Sequence, residues 1–150
     1  MNSMKAAKPK QVFIEGPIQA AFIAESIQKH SQKTEIGGHG IFLGQVRNDR
    51  IEDHTVVAIE YTTYEEMANS VLHQIREDAF ARFNLTCLHI YHSLGTVKAG
   101  ELSLFVFASS AHREAAMAAC KWLVERIKNE VPIWGKEIFD DETTQWKVNQ

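Results

Sequence analysis

Residues Leu102 to Ala108 constrain the fold most. Leu102, Leu104 and Val106 alternate with Ser103, Phe105 and Phe107. Both faces of such a strand are largely apolar, so both need cover, and the segment reads as a central strand. The chain around it alternates between strand-like runs and helical stripes. Val12-Phe13-Ile14 predicts a short first strand, and Gly16-Pro17 punctuates it. Ile18, Phe22, Ile23 and Ile27 mark a helix from Ile18 to about His30. Gly37, Gly38 and Gly40 break that pattern, and Ile41-Phe42-Leu43 opens a strand reaching Arg47. Residues 48–55 read as a turn or mobile loop, followed by a β-rich run over Val56–Tyr61.

A longer helix is predicted from about Tyr64 to Phe83, with Ala68, Val71, Leu72, Ile75 and Ala79 inward. Cys87–His92 reads as a strand and Lys98–Glu101 as a turn. Ser109 and Ser110 offer N-caps for a third helix ending near Lys128. Its inward stripe is Ala116, Ala119, Cys120, Leu123 and Ile127. Ile133–Ile138 is the last strand expected, before a turn at 140–142 and a short tail. The order β-α-β-β-α-β-β-α-β predicts an α+β fold: a mixed or antiparallel sheet with packed helices, of α/β hammerhead-like type, plus a small β subdomain. A flexible basic tail over 1–11 and one domain over 12–150 are expected.

At 150 residues the chain can bury a core without staples. Its net charge of −3 disfavours a general nucleic-acid binder. No run reaches membrane-span length, and no export signal opens the chain. Cys87 and Cys120 read as buried reduced thiols, which points to the cytoplasm. Neither they nor His30, His39, His54, His73, His89 and His92 show metal-ligand spacing.

Three stretches could carry chemistry. Ala111-His112-Arg113 opens the third helix, where free N–H groups favour an anion. Arg113 adds a bidentate fork and His112 a titratable donor. A surface or capping role competes evenly, but a cation opposing the helix dipole favours a bound anion. Lys128 to Glu137 reads K-N-E-V-P-I-W-G-K-E. Lys128 suits a helix C-terminus in any case, Pro132-Ile133-Trp134 could wall a pocket, and Lys136 and Glu137 point to opposite faces of a strand. In Gly44-Gln45-Val46-Arg47, the glycine suggests a bulge or a close backbone approach, and Arg47 ends a strand at a loop mouth. A solvated arginine is an equal alternative there.

In order, these stretches resemble the large-subunit (MoaE) family of molybdopterin synthases. The matching segments are F-L-G-Q-V-R at 42–47, A-I-E-Y-T-T-Y-E-E-M-A at 58–68 and H-S-L-G-T-V-K-A-G-E at 92–101. S-S-A-H-R-E-A-A at 109–116 and K-N-E-V-P-I-W-G-K-E at 128–137 complete the set. The resemblance covers about residues 12 to 146. It implies a sulfurtransferase that moves two sulfurs onto cyclic pyranopterin monophosphate. The sulfur donor it implies is a small ubiquitin-like subunit with a C-terminal Gly-Gly thiocarboxylate.

The resemblance further implies a central homodimer within a heterotetramer, pockets completed by the neighbouring large subunit, and no metal or cofactor in this chain. Lys128 matches a catalytic lysine. His112, Arg113 and Arg47 match substrate contacts, with Gln45 and Val46 beside Arg47, and Lys136 and Glu137 in the last pocket segment. Two positions depart from the pattern. Gly135 stands where the family has a second functional lysine, leaving Lys136 to reach in or the role unfilled. Ser93 stands where an arginine often follows the histidine. Gly135 sustains an alternative, a non-catalytic protein binding a pterin or partner tail. A second alternative is an RNA-interaction domain using Phe105 and Phe107 as a platform.

Overall fold

The computed structural model describes residues 11–148. The expected tail lies, apart from Gln11, outside the described residues. Among these described residues eleven elements follow one another: β1 (Phe13–Glu15), α1 (Ala20–His30), β2 (Gly38–Gln45), β3 (Arg50–Ile51), β4 (His54–Thr63), α2 (Glu65–Arg82), β5 (Cys87–Lys98), β6 (Leu102–Ser110), α3 (Arg113–Glu130), β7 (Ile133–Phe139) and β8 (Thr144–Trp146). The sheet runs β2-β6-β5-β4-β7-β8, with β1 on β5 and β3 on β4. Among the described residues only β1–β5 is parallel; the other strand pairs are antiparallel. This is the expected α+β fold with packed helices.

β6 is central, pairing β2 on one edge and β5 on the other. Its even side chains Leu104, Val106 and Ala108 meet α2 and α3 through Ala68, Leu72, Ile75, Ala119 and Leu123. Its odd side chains Phe105 and Phe107 meet Ile18 and Ile23 at the α1 layer. Both phenylalanines are fully buried, so they offer no platform for RNA bases. Burying each ring contributes roughly 1.5–3 kcal/mol. A third cluster, Val46, Val56, Ile59, Val97 and Phe139, forms the core of the smaller β unit.

Several boundaries differ from the sequence reading. β2 begins at Gly38, not Ile41, because α3 presses on it there. A Cβ on Gly40 would fall 2.3 Å from the Ala116 carbonyl oxygen, so the glycine is a packing requirement rather than a break. The polar stretch after Arg47 pairs as β3 in a tight hairpin with β4, and Glu52 turns it at φ 57. β5 continues past His92 to Lys98 by changing partners, from β6 to β4. The tail near Trp146 is strand β8, paired to β7. Ser109 and Ser110 belong to β6; His112 is the N-cap of α3, without a side-chain capping bond. Ile27 stays 41% exposed, and Ile23 and His30 take the inward positions on α1. Cys87 and Cys120 are buried free thiols, as expected.

Candidate functional site

A cleft of about 450 Å³ opens where the end of β2, the end of α3 and the β4–β7–β8 sheet meet. Each wall has a local cause. β2 and β6 shift register between Gly44 and Gln45, the bulge anticipated at that glycine. The chain leaves the ladder there. Val46 is pinned instead through Val46 N–H to Glu101 O (3.0 Å) and Gly100 N–H to Val46 O (2.8 Å). Val46 is buried beneath, while Arg47 projects to the rim and donates to Asp49 at 3.3 Å.

The opposite wall follows strand parity. Ile59 faces Glu137 and Tyr61 faces Gly135 across β4 and β7, and these positions share the cleft side. Glu137 is only 4% exposed and accepts a 3.1 Å hydrogen bond from Gln145. Lys136 falls on the other side. Its ammonium pairs with Glu60 at 3.3 Å and lies 5.8 Å from the Trp146 ring centroid. The ladder is regular at this point, so no shifted backbone carries Lys136 into the cleft.

Lys128, in the last turn of α3, lines the cleft and an adjoining hollow of about 120 Å³. Enclosure by the cleft walls lowers its pKa from the usual lysine value, and the nearby charges of Lys147 and Arg47 lower it further. Lys147 carries no signal of its own in the sequence. It follows β8, donates its backbone N–H to Gly135 O at 2.7 Å, and lines both cavities. Its position depends on β8 pairing with β7, which polar residues 140–145 do not announce.

Beneath the adjoining hollow lies His92. Its Nδ1–H donates to Ser93 O at 2.7 Å, leaving the lone pair on Nε2. Burial pushes this imidazole down to about 4, and Lys128 adds to the shift. Its ring packs edge-on against Tyr61, 5.0 Å between centroids. Tyr61 donates to the Ser103 hydroxyl at 3.3 Å, and burial raises the phenol pKa.

Gln45, Val46, Arg47, Lys128 and Glu137 therefore meet in one cleft. His112 and Arg113 do not. They are exposed at the other end of α3, roughly 22 Å from Lys128 by helix rise. In one copy of the chain the two cationic corners are separate.

The fold and the cleft define a class: an α+β protein with a hollow lined by lysine and arginine over one buried carboxylate, suited to a small anionic ligand. Comparison with known proteins narrows it. The family model described as "MoaE protein" matches residues 17–130. A rice molybdopterin synthase catalytic subunit is 41% identical over 121 residues, covering 81% of this chain and 62% of the rice protein. The catalytic subunit from Pyrococcus abyssi is 37% identical over 105 residues, covering 70% of each. Among solved structures, molybdopterin synthase from Staphylococcus aureus superposes with a TM-score of 0.80 at 29% identity, covering 92% of this chain and 96% of that one. The chain belongs to the MoaE family.

Proposed function

We propose that the chain is the catalytic subunit of a molybdopterin synthase. It takes sulfur twice from the thiocarboxylated C-terminal glycine of a small ubiquitin-like subunit and places it on cyclic pyranopterin monophosphate. The observation that carries this reading is the gathering of Lys128, Lys147 and Arg47 around one cleft in a chain of net charge −3. A cyclic phosphate is a fit occupant. It needs cations and donors, and opening its ring develops charge on oxygen. Lys128, with its lowered pKa, is suited to deliver a proton to that oxygen. Arg47 lies at the rim, where its fork can grip phosphate in exchange for Asp49.

Lys147 fills the role that Gly135 leaves open, from the segment just after β8 rather than from β7. The non-catalytic alternative rested on that missing lysine and loses its main support. His112 and Arg113 enter the reading through a second copy of the chain, whose α3 N-terminus would close the far side of the cleft. A solved structure of the same fold, from Helicobacter pylori, is a complex of two subunits of molybdopterin-converting factor. At 18% identity that likeness concerns the fold.

The test supplies purified chain with thiocarboxylated partner and precursor and measures molybdopterin formed. Product is expected from the native chain, and Lys128→Ala should lose nearly all of it. Full activity in Lys128→Ala would sink the assignment of Lys128. Binding of precursor without product in the native chain would leave a binding protein.

A further inference from the structure

We propose that His30, Cys87 and His89 form a binding site for a borderline-soft divalent cation of the zinc type. The site stands apart from the cleft and does not depend on the reading above. One ligand atom from each residue lies within 4.8 Å of the others. Sequence spacing could not reveal it, since His30 and His89 are 59 residues apart. Parity along β5 places Cys87 and His89 on the α1 side of the sheet, beneath the last residue of α1. Cys87 pairs with Ser109 across β6, and Ser103 at the cleft is six positions earlier, roughly 20 Å away.

Three features favour a metal over a chance cluster. First, His30 is buried and its Nδ1 lies 2.7 Å from Ser26 O. A carbonyl can only accept, so Nδ1 carries the proton and Nε2 presents a lone pair. This is the backbone-anchored tautomer that metal-ligating histidines adopt. Second, that Nε2 is 3.1 Å from His89 Nε2. Two nitrogens on one tetrahedral zinc stand roughly 3.4 Å apart, given Zn–N bonds near 2.0–2.1 Å. Third, the Lys33 ammonium lies 2.8 Å from Cys87 Sγ. Its N–H can stay as an outer donor to the metal-bound sulfur.

Two nitrogens and one sulfur select zinc over magnesium or calcium. A fourth position is left for water. Binding sends the Cys87 proton to solvent, while His89 carries its proton on Nδ1 and turns the Nε2 lone pair to the metal. The ion would clip the C-terminal end of α1, where the helix dipole also favours a cation, to the start of β5.

The test titrates the full, reduced, tag-free chain with Co²⁺ and then Zn²⁺. One equivalent of Co²⁺ should produce a thiolate-to-metal charge-transfer band that Zn²⁺ abolishes, and Zn²⁺ should raise the unfolding midpoint. Cys87→Ser should remove the band. His30→Gln and His89→Gln should weaken binding by at least about tenfold. Cys120→Ser should change nothing, which assigns the thiolate to Cys87 even if Cys87→Ser folds poorly, because the chain has two cysteines. Asp140→Asn should also change nothing, separating this site from the exposed His54–Asp140–Asp141 group. A folded native chain without the band at stoichiometric Co²⁺, or a band surviving in Cys87→Ser, overturns the proposal.

Discussion

Lys128 has two cationic neighbours, and they set how easily it gives up its proton. Lys147 and Arg47 both depress its pKa. Removing a neighbour should let that pKa rise, since the charged form is then repelled less. If Lys128 acts as an acid, Lys147→Met should move the alkaline limb of the rate profile to higher pH and slow turnover by about tenfold or more. Lys136→Met should change turnover less than about threefold, because its exposed partner Glu60 contributes only about 0–1 kcal/mol to stability. The discriminating measurement is molybdopterin formation against pH for both variants. His92 yields a second expectation. Its folded pKa of about 4 lies below the ordinary value of 6.5. Between those two pH values the unfolded chain holds the extra proton and the folded chain does not. Stability should therefore fall as pH drops through that window, by roughly 3 kcal/mol in total. Urea midpoints measured across it should slope in the native chain and flatten in His92→Asn.

At the scale of elements, the β4–β7 ladder decides what position 135 can hold. A Cβ there would stand 2.9 Å from Ile59 Cγ2 and 3.4 Å from Tyr61 Cε1. Gly135→Lys should therefore cost about 1–3 kcal/mol through overpacking. Pairing it with Ile59→Ala, which removes that Cγ2, should show favourable coupling in a double-mutant cycle in urea. The same ladder explains what the amino-acid pattern could and could not reveal. α2 and α3 were legible because Ala68, Leu72, Ile75, Ala119 and Leu123 repeat at helical spacing. β6 was legible because both of its faces are apolar. β3, β8 and the glycine start of β2 were not, since their pairing is set by contacts with β4, β7 and α3 rather than by their own periodicity. Lys147 was invisible for that reason. Arg47 and Lys128 drew attention through local chemistry and resemblance, but their meeting in one cleft depends on the fold.

For the whole molecule, the length of α3 is decisive. It holds Arg113 at one end and Lys128 at the other, too far apart for one small ligand. If two copies share each site, a chain with Lys128→Ala and a chain with Arg113→Ala each fail alone yet complement one another. Random mixing should restore about a quarter of native sites in an isologous dimer. Co-refolded mixtures assayed for product check this, and no recovery would mean that the corner acts elsewhere or not at all. The alternation along β7 has a different consequence. Gly135 and Glu137 face inward while Lys136 faces out, so inserting or deleting one residue before this strand's partners would exchange them. A basic group would then replace the acid on the floor of the hollow. A single-residue gap within β7 would therefore turn its pleat over, whereas a substitution leaves it in place.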